Sequence, residues 1–259
     1  MIRKLIMYLG LILAPLLLAS CSTVRPVGPK YVGPVSAVLP ALPSQVFVPR
    51  RDVLHVVIPG ETVFRLSKMY SVSVSDILAK NHLGASAGLK MGQTIIIPKA
   101  GPAKEVIPVF PSDKWKYIIV HHSATDEDNA LSLFNMHLRR GFDGTGYDFL
   151  IDNGTKGTTM GHVDATPRWI NQKDGAHCKA SGMNKKAIGI CLVGNFSKEK
   201  LPDQQLQSLV HLVNYLRKYY HIPLQNIMGH SQVPEASTEC PGVYFPFENF
   251  KRMLADDKG

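Results

Sequence analysis

The sequence predicts an α/β fold class, a mixed central sheet flanked by helices, with a small βααβ domain placed before it. Three observations lead there. The runs "KYIIV" (116–120) and "AIGICLVG" (187–194) are continuously apolar, as strands covered on both faces are. The run "YDFLI" (147–151) ends in the turn "DNGT", a hairpin signal that brings an antiparallel pair into the sheet. Pro202 then opens a long helix in which Leu206, Leu209, Val210, Val213 and Leu216 make one apolar stripe. With 259 residues, 45% of them hydrophobic, the chain can bury a substantial core, and its length alone allows one or two domains.

In chain order, Arg3 and Lys4 precede an apolar run from Leu5 to Leu18 that is too short for a comfortable membrane span, so residues 1–20 read as an export signal. The run ends in "LASC". Small residues followed at once by Cys21 resemble the bacterial lipobox, which implies lipidation of Cys21 and a membrane anchor. Ser22 in place of an aspartate resembles Gram-negative lipoproteins sorted to the outer membrane, so the expected location is its periplasmic side. The formal charge of +9 favours an anionic partner, and export removes nucleic acid from the candidates. Residues 21–52 carry Pro26, Pro29, Pro34, Pro40, Pro43 and Pro49 without periodicity and read as an extended tether.

Residues 53–98 form the small domain. A short apolar strand runs into a Pro59-Gly60 turn, and Val63, Leu66 and Tyr70 recur at helical spacing. A second helix is expected from about Ser75, a plausible cap, to Asn81, and Ile95 to Ile97 form the closing strand. The stretches "PGETVFRLSKMYSVSVSDILAKN" and "LKMGQTIIIP" resemble a LysM module over nearly its whole length. That resemblance implies binding of an N-acetylglucosamine-containing glycan through the loop after the first strand and the loop before the second. Residues 99–112 then read as a proline-bearing linker, and 113–259 as the α/β domain. In that domain Leu131, Phe134 and Leu138 fit one helical face.

Three cysteines, Cys178, Cys191 and Cys240, remain after export, an odd number in an oxidising compartment. Cys178 and Cys191 are candidates for a disulfide, which sequence does not decide. A metal-bound thiolate would account for the cysteine left over. The loop "GHSQVPEASTECPG" (229–242) holds His230 and Cys240, and a third ligand belongs at the end of a buried strand. His121 and His122 both stand there, on opposite faces, and spacing does not choose between them.

The motifs "YIIVHHSAT", "TGYDFLIDNGT", "GAHCKA", "NKKAIGICLVGNF" and "GHSQVPEASTECPG" occur in the order seen in zinc N-acetylmuramoyl-L-alanine amidases. The second domain thus resembles the type-2 amidase family, which includes phage amidase lysozymes and peptidoglycan recognition proteins. The resemblance selects His121 over His122 and implies a zinc site of His121, His230 and Cys240 with its fourth position left to water. Tyr147 matches the family's catalytic tyrosine, and Thr238 stands where some members carry a lysine; the resemblance implies that both are catalytic and hold the developing oxyanion, Thr238 by a hydrogen bond without charge. His177 and Asn184 fall where the family contacts the muropeptide. One branch has a glutamate where this chain has Cys191, so that residue's acid/base role has no counterpart here. His137, His162 and His211 are assigned to helix or loop without a ligand role.

These readings together lead to an expected function. The chain should be a monomeric, lipid-anchored, Zn2+-dependent enzyme that cleaves the amide between N-acetylmuramic acid and L-alanine in peptidoglycan. The alternative is a peptidoglycan-binding lipoprotein without catalysis, and a third reading is an enzyme cutting a different amide of the stem peptide.

Overall fold

The computed structural model describes residues 35–38 and 49–256. The export signal, Cys21 and most of the tether lie outside the described residues. Among the described residues no helix is long and apolar enough to cross a membrane.

Strand β1, Val35–Val38, falls within the segment read as a tether. The small domain then runs β2 (Arg51–Val56), α1 (Val63–Tyr70), α2 (Val74–Lys80) and β3 (Thr94–Ala100), with β2 and β3 antiparallel. Thr62 starts α1 by accepting the Arg65 N–H, and Ser71 ends it in the left-handed region. The cap of α2 is Ser73, whose hydroxyl accepts the Asp76 N–H; Ser75, the sequence's candidate, sits one residue inside the helix. Asn81 ties α2 to β3, donating to the carbonyls of Ile77 (2.8 Å) and Ile96 (2.7 Å) and accepting the Ile96 N–H (2.7 Å). Val57, Leu66, Met69, Ile77, Ile95 and Ile97 fill the core.

Strand β4, Val106–Val109, lies where the sequence suggested an open linker. It is buried throughout and pairs antiparallel with β1. Val106 joins the small domain's core while Ile107 and Val109 join the larger one, so this strand is shared between the two. The misreading has a physical source: two flanking prolines look like a spacer, whereas the alternation of "VIPV" serves two cores.

The larger domain continues with β5 (Tyr117–His122), α3 (Ala130–Arg139), β6 (Phe149–Asn153), β7 (Met160–Ala165), the short α4 (Pro167–Ile170), β8 (Ala187–Leu192), α5 (Asp203–Tyr220), β9 (Ile227–Gly229) and α6 (Phe247–Asp256). Its sheet has the order β7-β6-β8-β5-β9, parallel except for the β6–β7 hairpin, which makes it mixed as expected. Helix α5 begins after Pro202 and buries Leu206, Leu209, Leu212, Val213 and Leu216. Helix α3 buries Ala130, Leu133 and His137 instead of Leu131, Phe134 and Leu138. Both sets have the same spacing, and periodicity alone favours the more apolar set; the packed face is one residue away and includes a histidine.

The small domain is docked onto the larger one through its β2–α1 turn and α1. Ile58 packs against Ala130, Leu133, Leu150, Cys191 and Val193. Gly60, at φ +83°, faces Pro167, where an added Cβ would lie 3.4 Å from the proline Cα. Arg65 is buried and donates to the carbonyl of Ala165 at 3.2 Å. Cys178, Cys191 and Cys240 are free thiols, so the Cys178–Cys191 disulfide is not formed in this structure.

Candidate metal centre

The site is built at the carboxyl end of β5, the strand between β8 and β9. Successive strand residues face opposite ways, and the two histidines obey this. His122 turns toward the loop after β8, where its Nδ1 accepts the Phe196 N–H at 3.1 Å. His121 turns the other way, into an aromatic enclosure. Its ring centroid lies 5.1 Å from Tyr147, 4.9 Å from His177 and 4.6 Å from His230.

The loop from His230 to Cys240 is held at several points. The Gly229 N–H donates to the Gln232 side chain at 2.9 Å, and the Ser231 N–H donates to the Cys240 carbonyl at 2.7 Å. Val233 is buried among Ile119, Cys178, Met183 and Ala187. Gly242, at φ +106°, passes so close to the Phe196 backbone that no Cβ fits. Thus fixed, Cys240 Sγ lies 3.6 Å from His121 Nδ1 and accepts the His122 N–H at 3.4 Å. One donor atom from each of His121, His230 and Cys240 lies within 4.8 Å of the others.

Electrostatics limit what this group can do. Burial lowers the basicity of His121, and the neighbouring His177, His230 and His122 lower it further, so the ring is a neutral donor. Burial also lowers His230. Burial pushes the Cys240 thiol up to about 12, which the His122 N–H only partly offsets. A cysteine nucleophile needs the opposite shift, so an unassisted thiolate mechanism is disfavoured. Two neutral imidazoles and a thiol that converge on one point suit a borderline-soft dication that displaces the thiol proton. Among the described residues no fourth histidine, cysteine or carboxylate joins the group, which is the ligand count of a catalytic site and not of a closed structural one.

The remaining residues singled out from sequence are placed as follows. Tyr147 is partly buried, with its ring beside those of His121 and His177. Burial first, then Cys191 and Cys240, hold its pKa far above the ordinary phenol value, so it stays a neutral donor. Thr238 is exposed, and its hydroxyl accepts the Cys240 N–H at 3.1 Å. The Asn184 side-chain oxygen accepts the N–H groups of His177 (2.9 Å) and Cys178 (2.7 Å), which staples its own loop. The His177 side chain is fully buried, with Nδ1 3.0 Å from His121 Nε2, so its ring faces His121 and not open solvent.

Sequence reasoning missed Asp148, and it left His137, which lies in α3 without a place among the convergent donors, outside the site. Asp148 is fully buried behind His177, accepts the Gly189 N–H at 2.8 Å, and is pushed by burial to about 7 against that hydrogen bond. It adjoins the quoted tyrosine in "GYDF", but nothing in a single sequence marks an aspartate as inward-facing. His137 accepts the Gly146 N–H at 3.0 Å and lies 5.6 Å from the Tyr147 ring.

Residues 111–243 match the family Amidase_2, N-acetylmuramoyl-L-alanine amidase, and residues 55–98 match the LysM domain. Among characterised relatives, peptidoglycan-recognition protein LB of Drosophila melanogaster is 34% identical over 137 residues, which cover 49% of this chain and 54% of that protein. Peptidoglycan-recognition protein 2 of Holotrichia diomphalia is 32% identical over 102 residues, covering 36% of this chain and 49% of that one. This chain therefore spans about half the length of each of these relatives. Among solved structures, N-acetylmuramoyl-L-alanine amidase LysC from Clostridium intestinale is 33% identical, with 56% of this chain and 91% of that chain covered, at a TM-score of 0.45. The amidase match takes in more than half of the sequence and includes all three convergent donors: the chain belongs to the N-acetylmuramoyl-L-alanine amidase family.

Proposed function

We propose that this chain is a zinc-dependent hydrolase of the amide between N-acetylmuramic acid and L-alanine in peptidoglycan. The observation that carries the reading is the convergence of His121, His230 and Cys240, in a member of the amidase family, at the end of a buried strand. A zinc ion held by these residues would polarise the scissile carbonyl and bring the pKa of a coordinated water toward about 7. The chain's own residues do the rest. His121 is held rigidly by the sheet, while His230 and Cys240 are held by a loop pinned at both ends. Tyr147, kept as a neutral phenol, donates a hydrogen bond to the oxygen that gains charge as the carbonyl becomes tetrahedral. Thr238, whose hydroxyl oxygen accepts the Cys240 N–H and is otherwise exposed, shares in holding that oxygen by donating its own hydrogen.

In this proposal the LysM module holds the glycan strand and raises the effective concentration of stem peptides at the site. The proposal extends to a lipid anchor at Cys21 on the periplasmic side of the outer membrane and to a monomeric enzyme; both rest on the sequence. The similarity to peptidoglycan-recognition proteins favours a second reading, recognition of peptidoglycan without hydrolysis. The test is metal content and activity of single variants. His121→Ala, His230→Ala and Cys240→Ala should each lose stoichiometric zinc and turnover, because two ligands hold zinc poorly. His122→Ala should keep its zinc. Full zinc in His121→Ala together with loss in His122→Ala would overturn the assignment.

A further inference from the structure

We propose that His177 is a positioning residue that fixes the proton of His121, and that Gly175 and Gly189 form the slot that holds the His177 ring. The proposal rests on the metal reading above and deepens it.

The argument follows protons from a backbone carbonyl outward. His177 Nε2 lies 3.4 Å from the Ala187 carbonyl oxygen, which can only accept, so Nε2 carries the hydrogen. The other polar group on that side, Asp148 Oδ2 at 3.9 Å, is also an acceptor and favours the same tautomer. His177 Nδ1 therefore presents a lone pair. Its partner at 3.0 Å, His121 Nε2, must donate to it. That leaves His121 Nδ1 as the lone pair of the ligand, and Nδ1 is the atom that faces Cys240 Sγ at 3.6 Å. One carbonyl thus sets the tautomer of two rings in series, and the outer ring arrives at the metal position already in its ligating form. Ligating histidines in general need such a partner on the remote nitrogen.

The slot is specific to this ring. A Cβ on Gly175 would lie 2.6 Å from the His177 ring, and one on Gly189 would overlap the same ring from the β8 side. Neither glycine sits at a positive φ, so backbone freedom does not explain them; the imidazole between them does. The Asn184 staple on the His177 N–H sets the ring's depth. Fully buried in this slot, His177 has no surface left for a muropeptide.

The test is zinc affinity of the full chain, read by competition with a chromophoric chelator. His177→Leu should weaken zinc binding about 10–100-fold. His177→Asn, whose side-chain oxygen takes the place of Nδ1 as acceptor, should recover most of that loss, which a purely space-filling role would not. Gly189→Ala should also weaken zinc binding, by displacing the ring. With zinc saturating, the KM of His177→Leu for a soluble muropeptide should stay at the wild-type value. Wild-type zinc affinity in His177→Leu, or equal losses in the Leu and Asn variants, would overturn the proposal. A raised KM with unchanged zinc affinity would return His177 to substrate contact. A wild type that binds no zinc would overturn the metal reading, and this proposal with it.

Discussion

At Tyr147 three influences meet: the neighbouring His121 ring, the Cys191 thiol and burial that keeps the phenol protonated. An oxyanion donor acts in the tetrahedral state and not before, so its loss should appear in turnover and not in binding. Tyr147→Phe should lower kcat about 10²–10³-fold and keep zinc and peptidoglycan binding, as judged by steady-state kinetics and metal analysis. Wild-type turnover in this variant would leave Tyr147 as a packing residue only. The residue scale is also where the sequence was most legible. His230 and Cys240 stood out because a loop rich in proline had no structural need for them. The facing of His121 was not readable from spacing, since two adjacent strand histidines are equivalent until their neighbours are known. The family motif puts His177 with substrate, whereas the close approach of its ring to Gly175 and Gly189 is visible only in the fold.

Among the elements, β5, β8 and α5 were visible in the sequence because burial on both faces or along one stripe leaves an unambiguous apolar pattern. β4 was not, since a strand of four residues whose alternate faces are both buried, one in each core, has no polar face to mark its alternation. The face of α3 was misjudged because His137 is buried by a backbone hydrogen bond that hydrophobicity does not register. Gln205, on α5, is a similar case. Fully buried, it donates to the carbonyls of Ile151 (3.1 Å), in the middle of β6, and Val193 (2.9 Å), just past the end of β8. The Ile151 carbonyl keeps the Val193 N–H (2.9 Å), but replacing Gln205 takes the donor from the Val193 carbonyl, so Gln205→Leu should cost about 1–3 kcal/mol in urea unfolding despite the more apolar side chain. An unchanged midpoint would mean that the Val193 carbonyl does not need this donor.

The two domains of the molecule meet at a buried charge cluster. Arg65 of the small domain reaches β7, where His162 Nε2 lies 3.2 Å from Asp164 Oδ1 and Asp152 is buried nearby. Burial alone would lower His162, but the charge and hydrogen bond of Asp164, with Asp152 beyond, raise it from 6.5 to about 9. Burial and the Asp164 charge raise Asp152 to about 8. Folding therefore favours the protonated form of both groups. The His162 contribution is complete below about 6.5 and lost as pH rises through about 9, and that of Asp152 fades over the approach to about 8. Asp164 is shifted the other way and stays ionised throughout this window, so it does not offset the trend. The unfolding midpoint should fall as pH rises from about 6.5 to about 9.5, and His162→Gln should flatten that limb; a flat wild-type profile would contradict it. The same docking fixes the β2–α1 turn against the larger domain, an orientation that no single-domain pattern in the sequence could reveal.

Cleavage chemistry itself is the most direct test. Purified peptidoglycan should be digested with the full chain, with and without a zinc chelator, and the soluble products identified by mass spectrometry. The expected products are stem peptides with a free L-alanine amino terminus and glycan strands whose muramic acid carboxyl is newly exposed, with both absent under chelation. Tight sedimentation with peptidoglycan and no released peptide, or peptides cut at another amide, would contradict the proposed reaction.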